Sequence, residues 1–186
     1  LTQPFQDEQV QEFIQRWFPG LLEKGEDPEK AVQLAASLWS ELQAAGKERI
    51  KDLCRNPLRL TLLCATWNVE KTLPETMAEL YAGFVETIYK WKKKEFTITE
   101  DEKKQLNKNL GELAKASLDA ETGRFRLTHQ SICKFKYFEG LDEYSLVLRL
   151  GWLNEVGVAE EKLREKVYTF YHATFQEYFA ALAVED

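Results

Sequence analysis

The residue types able to do chemistry are few in this chain and widely spaced. There are two histidines, His129 and His172, and three cysteines, Cys54, Cys64 and Cys133. His129 and Cys133 stand four apart, a spacing that puts both on one face of a helix, where an imidazole can serve a thiol nucleophile as its base. No third group to orient the ring is evident, so a nucleophile–base–orienter set is not supported by the sequence. The histidines and cysteines never meet at metal-ligand spacing. Three scattered cysteines form no CxxC pair and no disulfide framework, a usage that suits a reducing cytoplasm. Neither phosphate-loop signature, GxxxxGK[ST] or GxGxxG, occurs. The expectation is that the chain is not an enzyme by itself.

Two further positions could bind rather than react. His172 falls at the end of an expected strand, two residues before Thr174, which with Glu177 forms a capping box. A helix start presents free N–H groups and partial positive charge, both favourable to a phosphate, and an imidazole there can add a donor to the same oxygen. A histidine that merely bonds a neighbouring carbonyl is the simpler reading of the position. Pro57 follows Asn56 at a helix start, where a proline at the first helical position is ordinary. Its ring can also offer a flat apolar surface to a base, and position alone does not separate the two roles.

The elements that must place these residues are mostly helical. From Asp7, the residues Val10, Phe13, Ile14, Trp17 and Phe18 follow the stripe of a surface helix, which Pro19-Gly20 is expected to stop. Asp27-Pro28-Glu29 reads as N-cap, first-turn proline and first-turn acid. The helix behind it turns Ala31, Leu34, Leu38 and Leu42 to one side and is expected to stop at Gly46. After a short amphipathic turn with Ile50 and Leu53, Asn56-Pro57 opens a helix that is apolar on most sides and therefore central. Pro74 is expected to open the next, which ends in the lysines Lys90 to Lys94, where cations suit a helix C-terminus.

The texture changes near Phe96. Thr99 and Glu102 form a capping box ahead of Leu106, Leu110, Leu113 and Ala114. A β-like piece at Arg124 to Leu127 precedes two short helices, about Thr128 to Tyr137 and Asp142 to Leu150. Two strands, Leu153 to Ala159 and Lys166 to Tyr171, flank a charged turn from Glu160 to Glu165, and a last helix carries Phe175, Tyr178, Phe179 and Leu182. That order is the order of a winged helix. The expected fold class is mainly α: a helical domain over residues 1–96, then a winged-helix domain with a small β-wing and a C-terminal helix over residues 97–186.

Composition restricts the partners. The chain has 186 residues, with 31 acids against 25 bases and a formal charge of −6. That balance gives no general attraction to nucleic acid or to an anionic membrane. No apolar run approaches a membrane span, and the start has no signal-peptide design. The stretch from Arg124 to Lys136 is locally basic, but the helix that would enter a DNA groove begins Asp142-Glu143 and continues apolar, the wrong chemistry for phosphates and base edges. The opening Leu1, in place of Met, is compatible with a piece of something longer.

Two stretches carry a resemblance. Ile50 to Cys64, with Asn56-Pro57-Leu58-Arg59-Leu60 at its centre, and Phe170 to Ala181, with His172-Ala173-Thr174-Phe175-Gln176-Glu177-Tyr178-Phe179, resemble bacterial NACHT proteins of the STAND class of signal-transducing NTPases. Leu73-Pro74 to Leu80-Tyr81 and Leu110-Gly111-Glu112-Leu113-Ala114 match in order and character. Leu1 to Phe18 resembles the exit from the nucleotide-binding core. Arg55 departs from the family, which often has glycine two residues before the proline. The resemblance implies a helical arm and a winged-helix arm that close over ADP bound to an upstream NTPase core. By the same resemblance Pro57 packs on the adenine and His172 reaches the β-phosphate. Exchange for ATP releases the arms and permits oligomerisation. Nucleotide is expected in a parent protein and not tightly on this chain alone. The implied partners are an upstream core and downstream sensor repeats of the same protein, in the cytoplasm, with no nucleic acid and no membrane. Two other readings stand beside it: a self-standing helical and winged-helix protein-interaction module, and a DNA-binding regulator.

Overall fold

Helix caps set the first half of the fold. In the computed structural model, which describes residues 3–21, 27–121, 123–158 and 165–185, the chain forms two compact units, Leu1–Lys90 and Trp91–Asp186. It is mainly helical, with one three-stranded antiparallel sheet.

In the first unit, helix α1 (Asp7–Gly20) buries Val10, Ile14 and Phe18. It ends at Gly20, at the Pro19-Gly20 pair expected to stop it, with Pro19 inside the last turn. Near a C-terminus the missing proline N–H removes only one ladder bond, so the turn survives. The Asp27 carboxylate accepts from Glu29 N–H at 2.9 Å and opens α2 (Pro28–Gln43). α2 ends at Gln43, ahead of Gly46, and Gly46 forms the following turn at φ +82°. After α3 (Glu48–Leu53), the Asn56 side chain caps α4 (Pro57–Glu70). α4 is central, as its all-round apolar sequence requires: Leu60, Leu62, Leu63 and Cys64 are wholly buried. Each such leucine contributes about 1.5–3 kcal/mol by leaving water.

α5 (Met77–Lys92) begins three residues after Pro74. Its cap is Thr76, whose hydroxyl accepts from Glu79 N–H at 3.1 Å, while the Glu79 carboxylate accepts from Glu75 N–H at 2.6 Å. α5 touches α4 at two places: Lys90 pairs with Glu70 at 3.3 Å, and a Cβ on Gly83 would come within 3.0 Å of Thr66 Cγ2.

The second unit starts in the last turn of α5 and includes Phe96, whose ring carries the Arg149 guanidinium at 3.7 Å. The Thr99–Glu102 capping box forms as expected and opens α6 (Glu100–Asp119). Strand β1 is shifted to Leu127–Thr128, because residues Arg124 and Phe125 form a turn instead. The helix expected over Thr128 to Tyr137 breaks into α7 (His129–Cys133) and a 3-10 turn (Lys136–Phe138). The one expected over Asp142 to Leu150 shortens to α8 (Leu146–Arg149). There Asp142 and Ser145 close a turn on themselves, the Asp142 carboxylate accepting from Tyr144 N–H and from the Ser145 hydroxyl. That local bonding competes with helix and delays its start.

Strands β2 (Leu153–Val158) and β3 (Lys166–Phe170) pair antiparallel, and the sheet order is β1-β3-β2. The pairing passes from Glu155↔Tyr168 to Gly157↔Val167, so Val156 is the extra residue of a bulge, which Gly157 accommodates at φ +146°. Of the charged turn at Glu160 to Glu165, only Glu165 falls within the described residues. The last helix, α9 (Ala173–Glu185), packs along α6. Gly111 permits their close approach, since a Cβ there would stand 2.9 Å from the Phe179 carbonyl oxygen. Trp152, Phe170, Phe175 and Phe179 form an aromatic core beneath, with tilted and edge-on rings 5.3–6.5 Å apart.

Candidate functional site

His172 sits where β3 turns into α9, and its role there differs from the sequence expectation. α9 begins at Ala173, and the His172 carbonyl accepts the first helical bonds, from Phe175 N–H at 3.0 Å and Gln176 N–H at 3.2 Å. His172 is therefore itself the N-cap, and Thr174 lies inside the first turn. The ring replaces the usual hydroxyl or carboxylate cap: Nδ1 accepts from Thr174 N–H at 3.2 Å and lies 3.0 Å from Thr174 Oγ1. A nitrogen that accepts from an amide N–H carries no proton. In the neutral ring the proton is thus on Nε2, which has no hydrogen-bond partner among the described residues and belongs to an exposed side chain. No carbonyl takes the ring. What the corner presents to solvent is one outward N–H donor at the positive end of a helix.

The residues holding that corner were not singled out by sequence reasoning. Gln176, 1% exposed, donates from Nε2 to Ser117 Oγ on α6 and to the Arg124 carbonyl, both at 2.7 Å. Below the strand end, Tyr171 N–H donates to the Trp152 carbonyl at 2.8 Å. A buried glutamine among aromatics was the available signal, because such a residue must find partners.

Pro57, in the first unit, is half-buried at the first position of α4. Asn56 Oδ1 accepts from Arg59 N–H at 3.2 Å, and the Thr61 hydroxyl donates to the Pro57 carbonyl at 3.0 Å. Arg55 is placed without left-handed backbone; among the described non-glycine residues only Lys71 has positive φ. Its guanidinium bonds Asp7 at 3.2 Å, Asp52 at 3.2 Å and the Phe5 carbonyl at 3.4 Å, and its own carbonyl accepts from Phe5 N–H at 2.7 Å. Lys51 completes the cluster, 2.6 Å from the second Asp7 oxygen. The Lys51 hydrogen bond foremost holds the Asp7 carboxyl below the usual carboxylate range; burial opposes it, and the charges of Lys51 and Arg55 each add a smaller lowering. Arg55 thus ties the start of α1 to the α3–α4 corner.

The structure does join His129 and Cys133. Sγ lies 3.3 Å from Nε2 across one turn of α7. The other ring nitrogen, Nδ1, is buried and has no partner among the described residues, so none of their carboxylates or amides orients the imidazole. Cys54 and Cys64 are wholly buried; burial pushes the Cys54 thiol up to about 12 and raises that of Cys64 further. Among the described residues no three His, Cys, Asp or Glu side chains form a metal-holding group, and no helix is long and apolar enough to cross a membrane. No protein-family model matches the chain, and no curated protein matches it significantly.

Proposed function

We propose that this chain is the regulatory segment of a NACHT-type STAND NTPase: a helical arm and a winged-helix arm that close over ADP held by a nucleotide-binding core elsewhere in the same protein. The arms hold the inactive state, and exchange of ADP for ATP releases them and allows oligomerisation. In this reading Pro57 lies against the adenine and His172 donates Nε2–H to the β-phosphate. The observation that carries it is the ring at His172. Its Nδ1 is committed to capping α9, which leaves the opposite nitrogen as an outward donor inside the stretch that resembles the family. The element order α6-β1-α7-α8-β2-β3-α9 supports the winged-helix assignment, and the cap at Asn56 supports a fixed presentation of Pro57.

The coding sequence directly before this segment tests the proposal: it should encode a P-loop core. Protein containing that core should retain ADP through purification, whereas the 186-residue chain should bind ADP weakly and hydrolyse no ATP. Micromolar ADP affinity of the chain alone, or the absence of a P-loop upstream, would overturn the assignment as a lid and leave the protein-interaction module in its place.

A further inference from the structure

The His129–Cys133 pair has no part in the nucleotide reading, yet it is assembled with care. α7 is pinned at its start: Thr128 Oγ1 accepts from Ser131 N–H at 3.2 Å, the Ser131 hydroxyl donates to the Thr128 carbonyl at 2.7 Å, and Glu165 Oε1 accepts from Gln130 N–H at 2.7 Å. Ile132 anchors the same turn in the core with no exposure. The His129 ring lies against Tyr168 of β3, their centroids 6.2 Å apart, so its Nε2 is held towards the Cys133 sulfur. Cys133 is only partly buried, unlike the other two cysteines. The Tyr168 phenol of β3 is close enough to feel the charge of Cys133, and Glu165 caps Gln130 N–H at the helix start.

We propose that Cys133 is a thiol-modification site that takes a small-molecule disulfide, with His129 as the base. His129 Nε2 removes the proton from Cys133 Sγ as the sulfur attacks one sulfur of R–S–S–R. The bond between Cys133 Sγ and that sulfur forms, the S–S bond of the reagent breaks, and the departing RS⁻ takes the proton back from Nε2 and leaves as RSH. Cys133 is oxidised, one sulfur of the reagent is reduced, and the imidazole returns to its starting state. The unpartnered Nδ1 sets the limit of this chemistry. With no third group behind the ring among the described residues, the pair is proposed to modify itself once rather than to turn over a substrate.

The test uses the folded 186-residue chain and glutathione disulfide, followed by intact mass and peptide mapping. One glutathione per chain is expected, on Cys133, with Cys54 and Cys64 labelled only in denaturant. Cys133→Ser should abolish native labelling. His129→Gln should slow the second-order rate about tenfold or more, less than the ~10²–10⁴-fold usual for a positioned base because a thiol needs the least activation of the side-chain nucleophiles, with an unchanged circular dichroism spectrum. Should His129→Gln fail to fold, wild-type Cys133 is compared with N-acetylcysteine at the same pH, and it should react faster. An adduct on Cys54 or Cys64 in the native chain, a folded His129→Gln protein that reacts at the wild-type rate, or a Cys133 no faster than N-acetylcysteine would each overturn the proposal.

Discussion

The starts of α4 and α9 are built for the same purpose and end in opposite states. Each opens a long helix, and each places a candidate nucleotide contact at or beside the cap. At α4 the charged and capping groups bond within the protein: Asn56 Oδ1 on Arg59 N–H, Arg55 on Asp7, Asp52 and Phe5, and Lys51 on Asp7. At α9 the cap is an imidazole, which spends one nitrogen and keeps the other. A carboxylate cap offers only acceptors and a hydroxyl cap accepts and donates at one atom, whereas a histidine cap can accept with one edge and donate with the opposite edge. The α4 corner is therefore finished as a structural joint, and the α9 corner is left with a directed donor.

His172→Leu should produce the largest effect that separates the two corners. In protein containing the nucleotide core, loss of a charge-assisted bond of about 1.5–3 kcal/mol should weaken ADP retention by roughly 10- to 100-fold. ATP binding should fall less. Unchanged ADP retention in folded protein would reduce His172 to a helix cap. Next in size is the scaffold beneath it. Gln176→Ala leaves Ser117 and the Arg124 carbonyl without their donor and should cost the second unit about 1–3 kcal/mol. Gly111→Ala should cost a similar amount, about 1–3 kcal/mol, by forcing α6 from the α9 backbone. Chemical denaturation with a probe in each unit reads both, and equal loss in the two units would contradict the division at Lys90. On the other side, Asn56→Ala should remove about 1 kcal/mol from the first unit alone, with Asn56→Asp keeping most of it.

The smallest effect is in acid. Thr99 N–H, and then its hydroxyl, hold the Glu102 carboxyl below its usual range, and Asp7 is held low by Lys51 and Arg55. A lowered native pKa means that the stabilisation is complete above the ordinary carboxylate range and disappears as pH falls through the native value. Wild type should accordingly lose its advantage over Asp7→Asn and over Glu102→Gln below about pH 4. Stability curves that run parallel from neutral pH to acid would remove both carboxylates from the account. Both groups are solvent-exposed, so the differences should also shrink in high salt.

Local chemistry was legible and distant chemistry was not. Asp27, Asn56 and Thr99 were read correctly as caps because a cap needs only a short polar side chain and the amide two or three residues on. The same rule misplaced the start of α9: Thr174 and Glu177 satisfy the capping-box pattern, while histidine is an unusual cap, so the helix start moved by two residues. Pro74 concealed Thr76 and Glu79 in the same way. The Asp142–Ser145 turn is local but competes with an apolar run of helical spacing, and the turn prevails for one helical turn. Gln176 with Ser117, and Arg55 with Asp7, join residues far apart in sequence, and no periodicity reports such pairs. His129 with Cys133 lay between these cases. The spacing put them on one face, but only the fold could bury Nδ1 and aim Nε2.

One consequence follows from the way Gln176 is fastened. It lies one turn into α9, after the imidazole, and is bonded both to α6 and to the turn that precedes β1. With Gly111 letting α9 lie nearly on the α6 backbone, α9 has no freedom to slide or roll beneath its own cap. The imidazole behaves as a pointer bolted to a rigid block. Moving the backbone that carries it requires α9 to break from Ser117 and the Arg124 carbonyl or to take α6 with it. A ligand that pulls on the cap through its ring would be felt first by α9 and α6 together.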